Sequence, residues 1–428
     1  MAQLTDDCFA FSGDLLPVDE ALSLLTKRLT AVVGTETVSL SQARQRVLAV
    51  DVIARRNVPP YDNSAVDGYA VYHADLNADA ETVLPVRGRV AAGHPLNGPA
   101  GHGEAIRIFT GAPMPDGPDG GPDTVMMQED CREEDGKVTL LPGIKSGSNR
   151  RKAGEDVGEG DLILKAGTRL EPQHIAMAAS QGLADLEVYR PLRVAVLSTG
   201  DEVFEPGCDL PAGAIYDANR HMIAAMLENM GCSVQDKGIL PDDEDSIARA
   251  LAEAADENDL IVTSGGMSVG EEDHICNVIR QSGELNFWRL AIKPGRPVGM
   301  GQVKAGDGRV VPVFGLPGNP VAAFTTFTLI GYPMVQVMAG QENCPPRRYA
   351  VVLDADYKKK KGRREFVRAR LTGRDESGLP KAVKHGASGA AIISSLVGAD
   401  GFIDLGEDTT QITAGTVVDF LPFSEVLR

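Results

Sequence analysis

Arg193-Val194-Ala195-Val196-Leu197-Ser198-Thr199-Gly200-Asp201-Glu202 is the stretch that decides the fold class. Arg193 to Leu197 has the apolar density of a strand buried on both faces, and it breaks at once into a glycine- and acid-containing loop. Working outward, Asn219 to Met230 is spaced as a helix closed by Gly231, and Asp242 to Asn258 as a second, Ala- and Glu-rich helix. Leu260 to Thr263 and Arg309 to Phe314 read as further buried strands, and Val321 onward as helix. Strands alternating with helices from Leu192 to about Ala339 predict a parallel, three-layer α/β domain.

The flanks have a different texture. Pro17 to about Val33 predicts an amphipathic helix, with Val18, Leu22, Leu25, Leu29 and Val32 on one face and Gly34 as its stop; a second short helix is expected near Leu40 to Leu48. From Asn57 to Arg150, short β runs (Val83 to Val90, Ala105 to Thr110, Thr124 to Gln128, Lys137 to Leu141) alternate with Gly and Pro, as in a small β domain. After Pro345-Pro346 the alternation returns at Val351 to Leu353, Phe366 to Leu371, Phe402 to Leu405 and Val417 to Leu421, predicting a second one.

The 428 residues suffice for several domains, and a hydrophobic content of 43% supports a large core. The net charge of −18 repels nucleic acid and anionic membranes, so neither is an expected partner. Six scattered cysteines without a C-x-x-C pair read as free thiols in a reducing compartment. Met1 to Gly13 lacks the basic and apolar regions of a signal peptide, and the uncharged run Val310 to Gln341 carries too many Pro and Gly residues for a spanning helix. The expectation is a soluble, cytoplasmic protein.

Three loops follow predicted strands of the α/β domain: Ser198 to Glu202, Ser264 to Gly270, and Gly315 to Pro320. Ligands of open α/β sheets bind at such strand ends, where glycines let backbone N–H groups approach an anion. Walker and dinucleotide fingerprints are absent. Gly266-Met267-Ser268-Val269-Gly270 matches the G-x-S-x-G pattern of hydrolases, but Glu271, Glu272 and Asp273 follow at once and would oppose an oxyanion. Asp201, Glu202, Asp242, Asp243 and Glu271 to Asp273 could converge on Mg²⁺ beside a phosphate; alternatively, Asp242 and Asp243 simply cap a helix. Lys293-Pro294-Gly295-Arg296-Pro297 offers two cations on a stiffened loop. Lys358 to Lys361 with Arg363 and Arg364 is either a solvated run or an anion gate.

Asp62-Asn63-Ser64-Ala65-Val66-Asp67-Gly68-Tyr69-Ala70 resembles a hallmark of the molybdopterin molybdenumtransferase family, the molybdenum insertases of MoeA and gephyrin type. Thr110 to Pro113, Gly154 to Val157, Ser198 to Glu202, Ile215 to Arg220, Ser264 to Asp273, Lys293 to Pro297 and Gly315 to Pro320 are similar to its other motifs, in order, over roughly Val18 to Phe423.

The resemblance implies an α/β multidomain chain. An N-terminal helical segment would span 1–34. A discontinuous linking domain would combine 35–56 with 154–186, and a small β domain would span 57–153. An α/β domain similar to molybdopterin adenylyltransferases would span 187–342, and a β-barrel-like domain 343–428. It implies a cytoplasmic homodimer with a shared active cleft, Mg²⁺, and transfer of molybdenum from molybdate to adenylylated molybdopterin with release of AMP. A molybdopterin adenylyltransferase and molybdoenzyme chaperones would be its partners.

Carried over by motif, Asp67, Thr110, Asp156, Glu202, Asp242 and Asp273 would be catalytic, with Glu202, Asp242 and Asp273 holding the metal. Ser264, Gly265, Gly266, Ser268, Lys293, Arg296, Pro317, Pro320, Arg368 and Ser388 would bind substrate. Arg289 and Arg296 stand where lysine is usual, which keeps the charge and alters its geometry. The rival readings are an adenylyltransferase, which needs only the α/β core, a non-catalytic scaffold, and the Ser268 hydrolase.

Overall fold

The computed structural model describes residues 15–265, 274–282, 285–295, 297–342 and 345–427. The chain divides into two compact units. One comprises residues 50–165 and 171–185; the other holds residues 1–49, 166–170 and 186–428.

In the smaller unit, six strands form a sheet in the order Thr124–Met127, Gly68–Val71, Ala105–Ile108, Thr82–Val90, Lys137–Leu140, Cys131–Glu134. Successive side chains of a strand alternate between faces. Tyr69 and Val71 therefore join Leu84, Met126 and Val138 in one core, while Ala70 joins Val90, Ile106, Ile108 and Val125 in the other. Two-residue ladders, Val52–Ile53 with Leu162–Leu164 and Asn63–Ser64 with Arg150–Arg151, extend this unit.

One corner of the smaller unit is pinned by a histidine. The His102 ring stacks on Tyr72 at 3.8 Å, and its nitrogens lie 3.2 Å from Asp75 and 3.4 Å from Asp119. Both nitrogens can donate only when the imidazole is protonated. The Asp75 hydrogen bond, with that of Asp119, raises the pKa above 6.5. A raised folded pKa gives stability that is full below pH 6.5 and lost as pH climbs through the folded value. His102→Gln should therefore flatten the melting temperature across that window, and proton NMR of wild-type His102 should give a midpoint above 6.5.

In the larger unit the central sheet runs Ser233–Leu240, Arg193–Thr199, Leu260–Ser264, Val310–Leu316, Pro297–Lys304, Leu285–Arg289. The first four are parallel; Pro297–Lys304 runs antiparallel to both Val310–Leu316 and Leu285–Arg289, so the sheet is mixed where the sequence predicts a parallel one. One face (Val194, Val196, Val262, Phe314) packs on Ile223 and Leu227 of the helix Asn219–Asn229 and on Val321 to Met338. The other (Ala195, Leu197, Ile261, Val313) packs on Ile247 and Leu251 of the helix Glu244–Glu257 and on Ile275 and Ile279. This is the three-layer arrangement.

Pro320–Met338 is a continuous helical run, 94% buried and apolar enough by length and composition to cross a membrane. Pro333 does not break it. A π turn at Phe327–Gly331 precedes the proline and accommodates its missing N–H.

The N-terminal helix is shorter than its periodicity predicts. It spans Val18–Arg28, and Leu29 is already extended at φ −92°, ψ 147°. Thr30, Val32 and Val33 are β-branched, and the Val32 N–H donates to Met338 O at 3.0 Å instead of to a helical carbonyl. The expected helix at Leu40 to Leu48 is absent beyond a single turn at Leu40–Gln42. Gln45 takes φ +64°, and Gln45 and Leu48 N–H groups bond to Leu170 O and Thr168 O.

Residues beyond 348 close a ring of strands: Arg364–Arg374, Pro380–Lys384, Tyr349–Leu353, Val417–Pro422 and Gly401–Leu405, which returns to pair with Arg364–Arg374. Val351, Val367, Ile403 and Phe420 fill its interior. Ile292–Lys293 adds to this sheet, in parallel with Arg364–Glu365, which carries Lys293 to the rim of the ring.

Candidate active site

Three strand ends of the α/β sheet meet at one edge. Arg193–Thr199 passes through Ser198 and Thr199 into Gly200, whose φ of +134° suits glycine. A Cβ there would lie 2.7 Å from Glu202 Oε2, so the carboxylate folds back over the glycine. Gly265, at φ +83°, likewise passes close to Thr199 O. Register aligns Ser198 with Ser264 and Ser264 with Leu316, the residue before Pro317.

Asn219 ties these ends together. It opens the helix Asn219–Asn229, and its amide donates to Ser264 Oγ at 2.8 Å and Gly318 O at 2.7 Å. Accepting from Asn219 leaves the Ser264 hydroxyl proton for another partner. The adjacent Arg220 is 2% exposed and bonds Asp217 Oδ2 at 3.0 Å, together with Glu205 and Asp236. Burial alone would lower its pKa; the three carboxylates outweigh that and hold it above the ordinary value. The helix start is thus fixed by an ion cluster with Arg220 and Asp217 buried at its centre and the half-exposed Glu205 and Asp236 around them.

The result is a pocket of about 300 Å³ lined by Ser198, Thr199, Glu202, Asn219, Ser264, Gly265, Gly318 and Pro320. Ser198 Oγ is buried and has no hydrogen-bond partner among the described residues, as expected of a donor kept for a ligand. Pro320 sits at the first helical position, where its missing N–H costs nothing. Asp242 follows Leu240, which is in register with Thr199, and is exposed at the same sheet edge. Its neighbour Asp243 caps the helix Glu244–Glu257 by accepting from the Asp245 and Ser246 N–H groups, so the capping reading holds for Asp243. Gly266, Ser268, Asp273 and Arg296, and with them the G-x-S-x-G pattern, lie outside the described residues.

A second pocket, of about 140 Å³, contains Lys293, Arg368 and Ser388. Lys293 Nζ donates to Glu365 Oε1 at 2.8 Å, and Tyr357 OH donates to the same oxygen at 2.7 Å. Arg368 is 7% exposed and spends donors on Ser395 Oγ, Ala387 O and Gly389 O, which fixes the loop presenting Ser388. Burial lowers its pKa from the arginine range.

In the smaller unit, Asp67 Oδ1 accepts from the Thr110 N–H and the Thr110 hydroxyl, both at 2.8 Å. These bonds, the backbone one first, hold the carboxylate below its ordinary pKa of 3.8. Asp156 is exposed in the turn whose N–H bonds Val58 O, and no hydrogen bond among the described residues joins it to Asp67. Gly68 lets the strand approach its neighbour: a Cβ would lie 1.7 Å from Met126 O. Gly68→Ala should cost about 3 kcal/mol of unfolding free energy, the upper range for overpacking, measurable by denaturant titration.

Sequence reasoning matched Ile215 to Arg220 as a motif but gave no role to Asn219 or Arg220. The available signal was an amide and a guanidinium at the mouth of a predicted helix, following the acid Asp217.

Comparison with known proteins agrees with this architecture. Residues 16–182 match the MoeA N-terminal region (domain I and II), 195–337 a probable molybdopterin binding domain, and 350–423 the MoeA C-terminal region (domain IV). The molybdopterin molybdenumtransferase of Haemophilus influenzae is 38% identical over 415 residues, 96% of this chain and 100% of that protein. Molybdopterin molybdenumtransferase 2 of Mycobacterium tuberculosis is 33% identical over 89% of this chain and 93% of its own length. The crystal structure of the molybdopterin biosynthesis moeA protein of Pyrococcus horikoshii superposes with a TM-score of 0.80 at 30% identity, covering 96% of this chain and all of that one. With whole-length relatives above 30% identity and all three regions matched in order, the chain belongs to the molybdopterin molybdenumtransferase (MoeA) family.

Proposed function

We propose that this protein is a molybdenum insertase of molybdenum cofactor biosynthesis: it moves molybdenum from molybdate to the dithiolene of adenylylated molybdopterin and releases AMP. The observation that carries this is the presence, in one unit, of a pocket of hydroxyls, a glycine turn and Glu202, and of another holding Lys293, Arg368 and Ser388. The first suits a phosphorylated pterin, since hydroxyls and the Gly265 turn can receive phosphate oxygens. The second suits a small oxyanion held by the Lys293 ammonium and the Ser388 hydroxyl.

Glu202 and Asp242, with Asp273 from outside the described residues, offer only carboxylate oxygens, the donor set of a hard cation. They fit Mg²⁺, which keeps several waters and is shared with phosphates rather than caged by protein. When bound, Mg²⁺ supplies neutralisation of the diphosphate charge. The chain's own residues hold the two anions, orient the diphosphate across Ser198 and Ser264, and need no covalent nucleophile, because positioning and electrostatics account for phosphoryl-type cleavage.

The family resemblance supports a cytoplasmic homodimer in which Asp67 and Thr110 of one subunit complete the pocket of its partner. A molybdopterin adenylyltransferase would deliver the substrate, and chaperones of molybdoenzymes would take the product. Purified protein, adenylylated molybdopterin, Mg²⁺ and molybdate should give AMP in proportion to cofactor formed. No AMP above the molybdate-free control would overturn the reading. Light scattering should give twice the chain mass of 45.4 kDa.

A further inference from the structure

The basic run at Lys358 to Arg364 is not a loose solvated tail. Tyr357–Lys358 pairs with Gln411–Ile412, and the Lys359 and Gly362 N–H groups bond Thr410 O and Glu407 O. Lys359, 9% exposed, turns its ammonium inward onto Gly406 O and Thr409 O, both at 2.8 Å. Arg364 forks onto Asp404, and Lys361 lies 3.4 Å from Asp408. These bonds use up three of the cations and fix the backbone that carries the rest.

Lys358, Lys360 and Arg363 remain, and none is within ion-pair distance of a carboxylate among the described residues. They line a cavity of about 520 Å³ with Lys293, Lys359 and Glu365. Its one carboxylate is already taken by Lys293 and Tyr357 on a single oxygen. A chain of net charge −18 thus carries a preorganised basin of five cations and one carboxylate. Lys293 and Glu365 line both this basin and the smaller pocket that contains Arg368 and Ser388.

We propose that this basin is a capture site for free tetrahedral dianions, molybdate first, that feeds the smaller pocket through Lys293. The naming of molybdate rests on the function proposed above. An arriving dianion competes with Glu365 for the Lys293 ammonium, so Lys293 is the point of exchange between the two cavities. Capture by exposed cations works through a long-range field, which draws an anion against the acidic surroundings and fades as salt shortens the Debye length.

Equilibrium dialysis of molybdate against the full-length protein tests this. Lys358→Gln, Lys360→Gln and Arg363→Gln combined should weaken molybdate binding about tenfold at about 20 mM salt, and less than twofold at about 0.5 M, where the field is screened. Lys361→Gln, which removes one charge that lies outside the basin's lining and is paired with Asp408, should change binding less than twofold. Unchanged melting temperatures would show that the variants fold. Wild-type isotherms in the triple variant at low salt would overturn the proposal. So would a loss of AMP binding with molybdate binding intact, because the basin would then serve nucleotide phosphate. Dialysis involves no turnover, so failure of the proposed reaction is read separately, from AMP release.

Discussion

Alanine at Asp67 or at Glu202 is expected to lower turnover of adenylylated molybdopterin by about 10³-fold or more, the scale seen when a preorganised electrostatic group is removed from a site. Neither substitution should unfold the chain. Asp67 is half-buried, and its bonds to Thr110 are local to two loops; Glu202 lines an open pocket. The two residues belong to different units of the chain, which makes a sharper experiment possible. In a mixture of the two variants, each heterodimer should recover one working site of two if the cleft is shared between subunits. No recovery at any mixing ratio would remove the shared-cleft part of the proposal. The pH profile adds a second reading. Asp67 is held below its ordinary pKa of 3.8, so it should not be the group whose protonation sets the acid limb above pH 4.

The second large effect concerns stability. Arg220→Met should destabilise the larger unit by about 3–5 kcal/mol, the cost of leaving a buried charge without its partner. Asp217 is 4% exposed and would lose the guanidinium that neutralises it. A fall in melting temperature of roughly 10 °C is expected for a unit of this size. Adding Asp217→Asn to Arg220→Met should restore part of the loss, because the amide removes the stranded charge. Arg220→Lys should fold better than Arg220→Met yet bind the pterin less well. One ammonium cannot fork to Asp217, Glu205 and Asp236 at once, and the adjacent Asn219 depends on that helix start. If Arg220→Met melts like wild type, the cluster is decorative.

What the sequence made legible followed from local physics. Arg193–Thr199 and Leu260–Ser264 are uninterrupted apolar runs because both faces of a central strand are covered, and such runs stand out. Pro297–Lys304 was hidden: Gly299 and Gly301 dilute its apolar signal, and strand direction leaves no mark on hydrophobic pattern. Leu29 to Val33 kept a helical spacing, but its backbone bonds to the end of a helix three hundred residues away, which no local window contains. Glycine-loop chemistry reads Gly200 and Gly265 as places where backbone approaches an anion; in the fold both take positive φ, and their close neighbours are Glu202 and Thr199 of the Ser198 to Glu202 loop. The roles of Asn219 and Arg220 were not visible, since Ser264, Gly318, Glu205 and Asp236 become their partners only after folding. The pairing of Lys293 with the basic run was equally invisible, because it depends on Ile292–Lys293 leaving the α/β sheet to join the barrel.

Pro320–Met338 has a consequence for how the chain is made. A ribosome that releases this segment exposes a stretch apolar enough for the translocation machinery or a chaperone to engage. Chain order answers the hazard. The parallel strands against which it packs, Arg193–Thr199, Leu260–Ser264 and Val310–Leu316, are all synthesised earlier, and so is the N-terminal helix that covers it. At a synthesis rate of about 5–20 residues per second, the sheet and the N-terminal helix precede the segment, so burial can begin as its own residues appear, and only the barrel side, where Phe402 and Phe423 meet Phe324, is added later. Permuting the gene so that this segment is translated first should turn a well-behaved chain into one that aggregates or associates with membranes during synthesis, although the finished fold is unchanged.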